Sequence, residues 1–175
     1  VSVVRVNYWM SFMLFPGVPV RAWFAGLSLG CFGLVAVGLE LQALLHLAPC
    51  PLCIFQRLIY MVIGLVSLLG CVLPRGRVAC CGLIAALAAW GLGVAAYQTW
   101  MQAFPELATE CGLTDPTLVE QLVDWLGMQN PALFLATGFC ASRDWEFLGL
   151  SMANWSVVMF AGIAAYATFV FKRKD

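Results

Sequence analysis

Four apolar runs constrain this 175-residue chain more than any other feature: 22–45, 54–73, 78–104 and 152–171, which together contain only two charged residues, Glu40 and Arg57. A helix needs about 20 mostly apolar residues to cross a hydrocarbon core, and each run is long enough. With 63% apolar and 10% charged residues, the chain has too little polar surface to cover a soluble domain. The expected fold is an all-α membrane protein, a single domain built as a bundle of four transmembrane helices. The first run has no small-residue cleavage site and three further runs follow it, so it reads as a retained span rather than a signal peptide. The 97–104 end of the third run is expected to emerge into the membrane interface.

Net charge is zero, which argues against nucleic acid as a partner, but the charge is unevenly placed. Arg5, Arg21, Arg75, Arg77, Lys172, Arg173 and Lys174 precede the first span, separate the second from the third, or follow the fourth. All of these positions lie on one side of a four-span chain. The bias of basic residues toward the cytoplasm puts that side, and both termini, inside. The loops 46–53 and 102–151 then face outward. In the longer one, TLVEQLVDWLG sets Leu118, Leu122 and Trp125 or Leu126 at helical spacing, which predicts a short amphipathic helix lying on the membrane surface. Trp145, Phe147, Leu148, Leu150 and Met152 form a second apolar patch just before the fourth span.

On this topology the eight cysteines divide into two groups. Cys31, Cys71, Cys80 and Cys81 fall within spans or near the inner face, where thiols stay reduced and a small apolar side chain suits helix packing. Cys50, Cys53, Cys111 and Cys140 fall at or beyond the outer surface, where disulfides persist. Structural bridging is a weak reason for a CxxC pair, because so short a loop removes little chain entropy; thiol exchange is a better one. Zinc is not expected, since Cys111 and Cys140 lack the spacing of a second metal knuckle.

The stretch CPLCIFQR, from Cys50 to Arg57, opens the second span. Pro49 and Pro51 disfavour helix before it, so Cys53 is expected near a helix N-terminus, whose unpaired amides favour an anion. Arg57 lies one turn further on and adds positive charge on the same face, which would favour the Cys53 thiolate. An ionisable group within a span is a functional-site candidate, although a lone basic residue there can also simply extend its head to the interface.

CPLCIFQR, the paired outer-loop cysteines, the four spans and the run GFCASRDWEFLGLSMANW from Gly138 to Trp155 together resemble the disulfide bond formation protein B family of bacterial inner membranes. The resemblance covers nearly the whole chain. It implies an enzyme, a protein-disulfide oxidoreductase that passes electrons from a soluble periplasmic DsbA-like thiol oxidase to a membrane quinone, ubiquinone or menaquinone. It implies that Cys111 and Cys140 form the pair facing the soluble partner, with Cys111 the site of the mixed disulfide. It implies also that Cys50 and Cys53 form the pair facing the quinone, with Cys53 in contact with it and Arg57 beside the ring. One position departs from the pattern: some relatives are expected to carry histidine near the outer end of the third span, where YQTWMQ offers Gln98. His46, the single histidine, reads as an interfacial residue.

Two alternatives fit less well. A quinone-reducing enzyme of the vitamin K epoxide reductase type is expected to carry its CxxC late in the chain, whereas here it opens the second span. A non-enzymatic four-span scaffold of the tetraspanin type would carry CCG in its large outer loop, whereas Cys80, Cys81 and Gly82 open the third span beside Arg75 and Arg77.

Overall fold

The computed structural model describes residues 19–108 and 117–172. Helix α1 runs Val20–Leu45, α2 Pro51–Val72, α3 Arg77–Ala103 and α7 Met152–Lys172. A 3-10 turn, Pro74–Gly76, leads into α3. The long segment between α3 and α7 holds the short helices α4 (Pro105–Ala108), α5 (Leu118–Gln129) and α6 (Pro131–Phe134), then a two-stranded hairpin, β1 (Glu146–Phe147) and β2 (Leu150–Ser151). Four helical stretches are long and apolar enough to cross a membrane: Val20–Leu45, Pro51–Val72, Pro74–Ala103 and Met152–Phe171. These helices lie within a few residues of the four apolar runs, and the principal extension, of α2 back to Pro51, follows from its cap. Proline at the first helical position has its φ already set and has no amide to leave unpaired.

The long helices form a bundle in which α1 packs on α2, α2 on α3 and α3 on α7, with a lighter contact between α7 and α1. Ile54, Ile63, Ile84 and Phe160 fill its centre with almost no exposure. The Phe160 ring lies flat against Tyr60, centroids 4.2 Å apart, and reaches that position because Gly91 has no side chain to meet it. Two polar links brace the bundle: Ser28 Oγ donates to the Gly64 carbonyl at 3.0 Å and Tyr166 Oη to the Trp23 carbonyl at 2.8 Å. Leu29, Leu69, Val78 and Trp90 remain exposed on the outside of the bundle, as side chains facing lipid do. Cys31 and Cys81 are buried in the core, with Cys71 and Cys80 packed against it, all as free thiols.

The expected loop helix is present as α5. Thr117 accepts from the Glu120 amide, and the Glu120 carboxylate reaches back to the Thr117 amide, a complete capping box. It carries two apolar sides. Val123 and Gly127 are buried against α2 and α6, while Leu118, Leu122 and Trp125 stay exposed. Tertiary contact therefore uses the Val119–Val123–Leu126 side, leaving a second apolar stripe open. The patch before the fourth span is a hairpin whose turn residues, Leu148 and Gly149, both have positive φ. Phe147 stacks on Trp145 and lies tilted against Trp155, whose Nε1 donates to the Phe147 carbonyl at 3.1 Å.

Candidate redox site at the outer end of the bundle

The CxxC spacing places its two sulfurs at the N-cap and third position of α2. Cys50 caps the helix, its Sγ accepting from the Cys53 amide at 3.3 Å. The cap brings the two sulfurs to 3.1 Å, where the Cys50 thiol donates to Cys53. Cys50 is 2% exposed.

A glutamine pair completes the setting. Gln98, buried on α3, donates from Nε2 to the Cys53 sulfur at 3.0 Å and to the Cys50 sulfur at 3.3 Å. Its Oε1 accepts from Gln56 Nε2 at 2.7 Å, which fixes the amide with its hydrogens toward the sulfurs. Where a histidine was expected in some relatives, this chain thus presents a donor that does not titrate.

Cys140 joins the same cluster. Its sulfur lies beside the Cys50 thiol and the Leu52 amide at the start of α2, so that the one Cys50 thiol hydrogen serves either Cys53 or Cys140. The Cys50 thiol, reinforced by the Leu52 amide and opposed by burial, holds the Cys140 thiol below its ordinary range. The Cys50 thiol is pushed far up, first by the acceptor sulfur of Cys140, then by that of Cys53 and by burial. Three of the four outer cysteines are therefore together at one helix end. Cys111 lies outside the described residues, as do Glu110, Asp115, Arg5, Arg173 and Lys174.

Arg57 sits one turn below Cys53, and its guanidinium is held by protein acceptors: Nη1 donates to the Leu133 carbonyl at 2.6 Å and Nη2 to Gln42 Oε1 at 2.8 Å. It thereby joins α1, α2 and the outer-loop helix α6. Its charge still bears on the Cys53 sulfur, although the sulfur's side-chain donors are Cys50 and Gln98. A cavity of about 270 Å³ opens beside this group, lined by Cys53, Arg57, Gln42, Tyr60, Trp155 and Met159 among others, with mostly apolar walls. Phe55, outside its lining, packs against Trp90, at 5.7 Å between centroids. Among the described residues, no group of three or more histidine, cysteine or carboxylate side chains is arranged to hold a metal ion.

Gln42, Gln56 and Gln102 are site residues that sequence reasoning passed over. The only sequence signal is that a glutamine in an apolar helix needs a buried partner.

Comparison with known proteins agrees with this geometry. The family described as Disulfide bond formation protein DsbB matches residues 20–170. A protein named Disulfide bond formation protein B from Dechloromonas aromatica (strain RCB) is 71% identical over 163 residues, 93% of this chain and 99% of the relative. Proteins of the same name from Aromatoleum aromaticum and Nitrosospira multiformis are 43% and 38% identical, covering 88% and 89% of this chain and 93% of each relative. Neither the epoxide reductase reading nor the scaffold reading has comparable support. A multi-pass bundle carrying a sulfur cluster at one end, matched along nearly its whole length, belongs to the disulfide bond formation protein B family and is a protein-disulfide oxidoreductase.

Proposed function

We propose that the chain reoxidises a soluble DsbA-like thiol oxidase in the periplasm and passes the electrons to a membrane quinone, with both termini in the cytoplasm and the sulfur cluster at the periplasmic face of the inner membrane. The observation that carries this reading is the position of the Cys50 and Cys53 sulfurs on an apolar cavity that also holds Arg57. The cavity fits a quinone head: Leu34, Val35, Leu41 and Met159 offer apolar walls. Arg57 and Gln42 place polar hydrogens among them, the guanidinium keeping N–H groups beyond the two already engaged. When bound, a quinone supplies a two-electron, two-proton sink. It is ubiquinone or menaquinone.

The chain's own sulfurs carry the rest. A partner thiolate attacks Cys111 in a Cys111–Cys140 disulfide, forming a mixed disulfide and releasing Cys140 as thiolate. Cys140 attacks Cys50 in the Cys50–Cys53 disulfide, forming a Cys50–Cys140 bond and releasing Cys53. The partner's second thiol then displaces Cys111, which takes Cys140 back and leaves Cys50 and Cys53 holding the electron pair. Their reoxidation to the disulfide gives up two electrons and two protons. The Leu52 amide and the Cys50 contact favour this route, because they hold the Cys140 sulfur where it must attack. The exposed Leu118, Leu122 and Trp125 side of α5 suits the outer membrane surface, keeping the loop close to the cluster.

Purified protein in detergent should oxidise a reduced DsbA-like protein only when quinone is added, and Cys53→Ser should abolish this while the protein still inserts in the membrane. Turnover without any quinone, or normal turnover by Cys53→Ser, would refute the proposal.

A further inference from the structure

The segment carrying Cys140 is fastened on both sides of the cysteine. Before it, the Thr137 and Gly138 amides both donate to the Pro49 carbonyl, at 2.9 and 3.0 Å, so the segment lies on the residue that precedes Cys50. The approach is so close that a Cβ at Gly138 would overlap the Ala48 carbonyl oxygen and lie 2.8 Å from its carbon. Both obstructing atoms are backbone, which cannot swing aside as a side chain can. After the cysteine, Gln102 Nε2 donates to the Ser142 carbonyl at 3.0 Å. Gln102 is itself held by Ser151 Oγ, which donates to its Oε1 at 2.6 Å and accepts from the Asn154 amide at 3.4 Å. The turn between the two fastenings is closed by Ser142, whose amide and hydroxyl both donate to the Phe139 carbonyl, at 3.1 and 2.9 Å. Phe139 itself points outward, 84% exposed, so main-chain contacts rather than an apolar anchor seat the segment.

We propose that Gly138 and Gln102 are positioning residues for exchange between the outer-loop and membrane cysteine pairs, clamping Cys140 against Cys50. The proposal rests on the relay described above. The step it serves is a balanced exchange: the Cys140 thiolate forms a bond to Cys50 as the Cys50–Cys53 bond breaks, and Cys53 leaves as thiolate. No oxidant is consumed. Orientation dominates such a step, because displacing one reactant by an ångström removes most of its rate advantage. Gly138 touches no reacting atom, and electrons that enter directly at the Cys50–Cys53 disulfide bypass the clamp.

The test drives quinone reduction by the purified full-length protein in two ways, with a reduced DsbA-like protein and with dithiothreitol. Gly138→Ala should lower the protein-driven rate about tenfold or more while leaving the dithiothreitol-driven rate within about twofold. Two equal rates to the unsubstituted protein, or a parallel fall in both, would overturn the proposal. If the unsubstituted protein reduces quinone with neither donor, the relay itself fails instead. A second measurement does not depend on turnover. In a Cys53→Ser, Cys111→Ser background, mild oxidation by diamide should join Cys50 to Cys140 rapidly, and Gly138→Ala or Gln102→Leu should slow that bond about fivefold or more. Bond formation that is absent without the added substitutions, or unslowed by both, contradicts the clamp.

Discussion

Replacing Gln98 by leucine removes both amide hydrogens from the Cys50 and Cys53 sulfurs and leaves the volume nearly unchanged. A hydrogen bond to a charged group is worth about 1.5–3 kcal/mol, so dithiol-driven quinone reduction at saturating quinone should slow about tenfold or more. An unchanged rate would reduce Gln98 to a space filler. Cys140 and Cys50 should part in their response to pH. The Cys140 thiol lies below the usual cysteine value, chiefly because of the Cys50 thiol beside it, whereas Cys50 lies above. At any given pH, Cys140 is then the more ionised of the two. Mass spectrometry of the fully reduced protein should find Cys140 alkylated at a pH where an unperturbed cysteine is still slow, and Cys50 only in stronger alkali. The reverse order would contradict the contact between them. The cysteines and Arg57 were legible in the sequence because CxxC and a charge within an apolar run are local signals. Gln98 stood out only through the family pattern. Gln42 and Gln102 carry no motif, and their partners, Arg57 and Ser151, come from other elements.

The long helices were legible because a span in lipid must satisfy its own backbone, so length and hydropathy suffice to find it. The outer-loop elements were less so. Helical spacing marked α5 and its exposed Leu118 stripe, but not the Val123 side that packs against the rest of the protein. Two apolar faces on one short helix look alike until the tertiary partner is known. The hairpin at Glu146–Ser151 was missed because its two-residue turn is Leu-Gly rather than the asparagine or aspartate pair that advertises such a turn. Where α3 crosses α7, the fit depends on a missing side chain. Gly91→Leu would drive atoms into the Phe160 ring and its stack on Tyr60. Overpacking of this kind costs about 1–3 kcal/mol, so the variant should melt several degrees lower in detergent by a thermal unfolding assay. An unshifted transition would mean that the ring moves aside freely.

At the scale of the whole molecule, most of the described buried polar side chains gather at one end of the bundle. α2 begins there with the sulfur cap, α3 ends there with Gln98 and Gln102, and α7 begins there with Ser151 and Trp155 beside the cavity. Arg57 spans the same end by bonding Gln42 on α1 and Leu133 in the outer segment. Elsewhere the bundle is packed mainly with aliphatic and aromatic side chains, interrupted among its described buried residues by the hydroxyls of Ser28 and Ser67. In the proposed relay, electrons delivered at this end meet the cavity within one helical turn of their point of entry. The most direct test is to locate the acceptor itself. A photoreactive ubiquinone analogue, activated on the membrane-embedded protein and mapped by mass spectrometry, should label the α2 and α7 peptides that contain Arg57, Trp155 and Met159, and excess unlabelled ubiquinone should suppress that label. Saturable labelling confined to the other end of the bundle, around Cys80 and Cys81, would contradict the account.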